Sequence, residues 1–170
     1  CNEARGLSNI MRKECIDLLF NSMAENKNIV VLTADLGFGL LDRIRDTYLD
    51  RFWNVGAAEQ LMIGAGIGLA EAGKIPVCYS MSSFLLYRPF ELLRNYVNYE
   101  NIPVKLIGSG RDKDYSHDGV SHWAHDDTEI LRALPNIDPH WPKDIPELEE
   151  CWPNFILSNT PAYLNLTRKI

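Results

Sequence analysis

The stretch NVGAAEQLMIGAGIGLAEAGKIPVCYS, residues 54–80, reads as one helix, one glycine stop and one strand, and that reading decides the fold. From Ala58 to Ala72 the residues suit a helix, and Gly73 stands where helices commonly close on a left-handed residue. IPVCYS then reads as a strand apolar on both faces. Upstream, NIVVLTAD is a second such strand ending at Asp35, and FWNVG is a short third one. Downstream, IPVKLIGS, NIDPHW and AYLNLTR supply three more. Helices are expected over Asn9–Glu25, 39–49, Pro89–Tyr99, 126–133 and 145–150. Strands of this kind alternating with helices predict an α/β fold, a mostly parallel sheet sandwiched by helices. Ligands bind such sheets beyond the carboxyl ends of the strands. Asp35, Gly56, Ser80–Ser83 and Gly108–Gly110 fall at those ends, and the polar loop SGRDKDYSHDGVSHWA, residues 109–124, belongs to the same rim.

The chain has 170 residues, enough for one domain with a proper core, and is 46% hydrophobic with a net charge of −6. Scattered basic residues argue against nucleic acid or an anionic membrane as partner. The apolar runs are too short for a bilayer span, and no signal peptide is expected. Cys1, Cys15, Cys78 and Cys151 form no CxxC pair. That speaks against a zinc site or disulfide framework and for a reducing, cytoplasmic setting. Met11 fits a natural start, so residues 1–10 are expected to be an extension or tag and residues 11–170 the domain.

The run GAGIG, Gly64–Gly68, does not meet the dinucleotide-binding fingerprint, because it lies inside a helix and position 69 is leucine. Glycine in a helix interior costs about 1 kcal/mol relative to alanine, so another backbone is expected close to that face. It belongs either to this chain's sheet or to another subunit. Glu59, just before this apolar run, is either an ordinary first-turn acid or a carboxylate whose partner lies outside the chain.

Four segments now carry a resemblance. VVLTADLG, FWNVGAAEQLMIGAGIGLAEAGKIPVCYSMSSFLLYRPFE, DGVSHWAHDDTEILRALPNIDPHWPKD and PAYLNLTR, in this order and at this spacing, resemble the pyrimidine-binding domain of transketolase. The domain of deoxyxylulose-phosphate synthase is similar. The resemblance implies a thiamine diphosphate-binding pyrimidine-domain fold. It implies that Glu59 hydrogen-bonds a ring nitrogen of the cofactor's aminopyrimidine, promoting acid–base chemistry within the cofactor. Phe84 and Tyr87 match aromatics that hold that ring, and Met81 stands where a further aromatic is usual. Asp118 and His122 match a substrate-facing pair with His117 beside them, while Gly110 stands about where transketolases have another histidine. Arg12 and Arg168 match positions that clamp the phosphate of a sugar phosphate, or a similar anion such as a sulfonate.

No GDG segment for diphosphate and Mg²⁺ is found, so no metal ligand is expected in this chain. The resemblance therefore implies the small subunit of a split transketolase-like enzyme. A diphosphate-binding subunit would complete it, with a homodimer core in an α2β2 assembly. Two other enzyme readings are a deoxyxylulose-phosphate-synthase-like ligase and a 2-oxo acid dehydrogenase β-like subunit. A non-catalytic pyrimidine-domain binding partner is the alternative outside enzymes.

Overall fold

The computed structural model describes residues 10–168. Six strands form its sheet: β1 (Ile29–Thr33), β2 (Phe52–Asn54), β3 (Ile75–Met81), β4 (Lys105–Ser109), β5 (Asp138–His140) and β6 (Ala162–Leu166). Their order is β2-β1-β3-β4-β6-β5, and every pairing between them is parallel. The mostly parallel sheet expected from sequence is thus parallel throughout these strands. β1, β4 and β6 are buried along their whole length. They carry β-branched and aliphatic side chains to both faces, as a sheet covered on two sides requires.

The two faces have separate cores. Ile29 and Val31 of β1 pack with Met11, Cys15 and Leu19 of α1 (Ile10–Glu25) and Trp152 and Phe155 of α7 (Ile145–Leu157). Val30 and Leu32 point the other way, into Met62 and Ile63 of α3 (Glu59–Glu71), Leu85 of α4 (Ser82–Tyr87) and Leu131 of α6 (Asp127–Arg132). The short α2 (Asp42–Thr47) occupies the middle of the stretch expected to be helical over 39–49.

Two helix boundaries differ from expectation. Helical structure follows β3 at once as α4; after Arg88 and Pro89 it resumes as α5 (Phe90–Leu92) and widens into π-type turns over Leu93–Tyr99. Pro89 has no N–H to continue the helix, so it divides the segment rather than opening it. α7 runs to Leu157 instead of 150 and passes through Pro153. Leu148, Trp152, Phe155 and Ile156 bury one continuous face of it. That burial, about 1.5–3 kcal/mol for each large side chain, outweighs the hydrogen bond the proline omits. Asp144 caps the start by accepting from the Glu147 N–H at 2.9 Å.

Gly66 settles part of the glycine question. A Cβ there would lie 3.1 Å from Cys78 Sγ, so the helix rests against β3 through the missing side chain. Gly64 and Gly68 face outward instead. The expected extension over residues 1–10 lies outside the described residues, apart from Ile10, which opens α1. Among the described residues no helix is long and apolar enough to cross a membrane.

The sheet order reverses at β1: the chain crosses to β2 on one side and returns to β3 on the other. Such a reversal opens a crevice beyond the carboxyl ends of β1 and β3. α1, α3 and α4 all begin at this edge, and they bring Arg12, Glu59 and Phe84 with them.

Candidate functional site

Glu59 is the first residue of α3, and the turn before it is fixed by side-chain chemistry. Asn54 Oδ1 accepts from the backbone N–H groups of both Asp35 and Gly56 at 3.0 Å. Gly56 takes φ +74, a left-handed conformation that glycine adopts without strain. The turn delivers the Glu59 side chain into the protein, only 3% exposed.

A buried carboxylate needs charge-assisted hydrogen bonds. Arg88 Nη1 supplies them, 2.8 Å from Oε1 and 2.9 Å from Oε2. The same guanidinium lies over the face of Phe84, its carbon 3.6 Å from the ring centroid. Phe84 in turn meets His122 edge-on at 4.9 Å between centroids. His122 Nδ1 lies 2.9 Å from Ser121 Oγ, and Ser83 Oγ donates to the Ser121 carbonyl at 2.9 Å, fastening the loop to α4.

Across His122 lies a second cluster. A cavity of about 250 Å³ opens at the ends of β1, β3 and β4, with Arg12, Met81, Ser109 and Tyr115 in its wall. Arg12 Nη1 donates to Ser109 Oγ and to the Tyr115 phenol oxygen, both at 3.3 Å. The Arg168 guanidinium carbon sits 4.5 Å from the Tyr115 ring centroid. The Nε atoms of Arg12 and Arg168 are buried without a hydrogen-bond partner among the described residues. Two guanidinium groups with unused donors form a setting for an anion. The Tyr115 and His122 ring centroids are 6.4 Å apart, so His122 borders both clusters.

Beneath them runs a buried polar floor. Asp127 Oδ2 accepts from Trp141 Nε1 (3.0 Å), Tyr163 OH (3.2 Å) and Asn165 Nδ2 (2.8 Å). Asn165 Nδ2 also reaches Ser82 Oγ at the head of α4, and Arg111 Nε donates to Asn165 Oδ1 at 3.2 Å. Burial pushes the Asp127 carboxyl up, while these three side-chain donors pull it back down. The network joins the start of the 109–124 loop, through Arg111, to the start of the segment that carries Phe84 and Arg88.

A family model described as transketolase, pyrimidine binding domain, matches residues 10–170. The chain belongs to that family. A putative transketolase C-terminal section from Methanocaldococcus jannaschii is 34% identical over 160 residues, covering 94% of this chain and 51% of the relative. The 6-deoxy-6-sulfo-D-fructose transketolase subunit SqwH of Clostridium sp. (strain MSTE9) is 31% identical over 160 residues, covering 94% and 50%. The chain spans about half the length of these curated relatives. A solved split-gene transketolase, an inactive β4 tetramer, matches with a TM-score of 0.81 at 30% identity, over 93% of this chain and 50% of that one.

Within this transketolase pyrimidine-binding domain, the structure brings Glu59, Phe84 and His122 together, with Arg88 between the first two. Arg12 and Arg168 also converge, on Tyr115 rather than on each other. Met81 lies with Arg12 in the cavity wall, apart from the Glu59–Arg88 pair. Tyr87 is 44% exposed; burial, then the neighbouring Asp126 carboxylate, pushes its phenol up. Asp118 faces His117 at 3.1 Å, whereas His122 turns to Phe84 and Ser121.

Sequence reasoning missed Arg88, Tyr115, Asn54 and the Asp127–Asn165 floor. Arg88 carried a signal: it follows Phe84 by four residues, the spacing at which helical side chains meet. Tyr115 explains Gly110, which has φ +90 and whose missing Cβ would strike the Tyr115 ring. The ring fills the space that a side chain at 110 would need.

Proposed function

We propose that this domain supplies the aminopyrimidine side of a thiamine diphosphate site and, completed by a diphosphate-binding subunit, transfers a two-carbon ketol unit between phosphorylated or similarly anionic sugars. One observation carries the reading. A buried carboxylate, Glu59, and an aromatic face, Phe84, together grip a flat nitrogen donor, the Arg88 guanidinium. An aminopyrimidine ring presents the same two features, a ring nitrogen for the carboxylate and a flat face for the aromatic, so the residues present fit that group.

When bound, the cofactor would supply a nucleophilic carbon to carry the transferred unit. Glu59 would hold a proton against the ring nitrogen in a site where water competes little. Phe84 would stack on the ring, with Met81 and Tyr87 further out. His122 would hydrogen-bond a carbonyl or hydroxyl oxygen of the sugar, with Asp118 and His117 beside it on the loop. Arg12 and Arg168, each with an unused buried Nε, would hold the terminal anion of the substrate.

The partner would bind the diphosphate and Mg²⁺, in a cytoplasmic α2β2 assembly around a homodimer core. The names of the relatives, a C-terminal section and a subunit, support this division. Reconstitution tests it. The purified chain mixed with its diphosphate-binding subunit should transfer ketol units, and each component alone should not. Full activity from the chain alone would overturn the divided site.

A further inference from the structure

The Glu59–Arg88 pair is asymmetric. Glu59 is 3% exposed at its side chain and Arg88 46%. The carboxylate sits at the start of α3 and is locked in place. The guanidinium sits at the end of α4, on a flexible stem with solvent beside it, and can leave. It covers the Phe84 ring at 3.6 Å and bonds both Glu59 oxygens through one nitrogen. These are the surfaces that the proposed function assigns to the aminopyrimidine ring. Two flat groups cannot share them.

We propose that Arg88 is a displaceable stand-in for the cofactor ring and determines what enters the site. The inference rests on the proposed function and adds to it. Removing the guanidinium leaves Glu59 as a buried carboxylate without its charge-assisted donor, which is costly. A ring that offers an N–H or a protonable nitrogen at that point replaces the lost bond. A ring with carbon there does not, and Arg88 stays. The stand-in thus selects by hydrogen bonding as well as by shape, and it keeps Glu59 paired and Phe84 covered until the right ring arrives.

The test uses the full chain and a probe without diphosphate, 4-amino-5-hydroxymethyl-2-methylpyrimidine. Its affinity is read by calorimetry, and the Arg88 side chain by its ¹⁵Nε resonance. On the wild type the probe should shift the Arg88 signal toward that of a solvated guanidinium. An otherwise equal fragment with carbon in place of the ring nitrogen should leave the signal unmoved. Arg88→Ala should bind the probe tighter by roughly tenfold or more, the size of one charge-assisted hydrogen bond. Arg88→Lys, which keeps the charge and loses the flat stack, should fall between and guards against a folding defect in the alanine variant.

Weaker or equal binding by Arg88→Ala overturns the stand-in and leaves the pyrimidine site intact. An Arg88 signal that ignores a bound probe does the same. A probe that binds neither protein overturns the pyrimidine reading of the site, and the stand-in with it.

Discussion

On one side of His122, a buried carboxylate faces an arginine across the ring of Phe84; on the other, two arginines converge on the phenol of Tyr115. The first cluster is charge-matched within the chain, the second has unused guanidinium donors. Under the proposed function, the charge-matched cluster would exchange one flat donor for another, and the cluster with spare donors would hold an anion. The two sides would then serve opposite ends of the reaction, and variants on each should fail differently.

The largest expected effect tests the matched side. In the reconstituted complex, Glu59→Gln should lower kcat about 10²–10⁴-fold, the usual worth of a placed acid–base group, with little change in KM for the sugar. Steady-state kinetics with a chain of unchanged circular dichroism checks this; near-normal turnover would remove Glu59 from the chemistry. On the donor-rich side, Arg12→Ala or Arg168→Ala should raise KM for a phosphorylated sugar about 10- to 100-fold and for its unphosphorylated analogue far less. Equal effects on both substrates would erase the contrast between the clusters.

A control lies at the opposite edge of the sheet. Lys105 opens β4, is 1% exposed, and donates to Ser158 O, Ser158 Oγ and Thr160 O at 2.6–2.9 Å just beyond α7. Lys105→Met should destabilise the fold by about 3 kcal/mol in urea titration, because those acceptors lose their donor, while KM stays unchanged. Burial pulls the Lys105 ammonium down from 10.5 to about 8, against the opposing pull of Asp138. Between those values the unfolded chain binds more protons than the folded one. The contribution of Lys105 to stability is therefore flat below pH 8 and rises as pH climbs toward 10.5, a slope Lys105→Met should lack. The smallest effect belongs to Tyr87→Phe, which removes a half-exposed hydroxyl near Asp126 and should shift stability by about 1 kcal/mol or less, measured by thermal unfolding.

The sheet was legible because its strands are short, β-branched runs bounded by helical periods, a pattern that burial on both faces imposes. Glu59 was legible for a related reason: a lone acid before GAGIG needs a partner. Its partner in this chain was missed, although Arg88 follows Phe84 at helical spacing, because the helix was expected to begin only at Pro89. α7 was read short, to 150, and only the packing of Trp152 and Phe155 shows that the helix continues through Pro153. The cavity was half visible. Arg12 and Arg168 stand 156 positions apart in the sequence, and what unites them is Tyr115, a loop residue with no periodic signal. The floor of Asp127 and Asn165 was invisible because polar residues at a helix start and within a strand reveal their partners only when the sheet is assembled.

Tyr115 can lie where it does because position 110 has no side chain. The two positions are locked together. Any larger residue at 110 must evict the phenol that both arginines use, and shrinking the residue at 115 opens room for one at 110. A designer wishing to reshape this rim must therefore exchange the two as a pair, since either change alone leaves a clash or a hole.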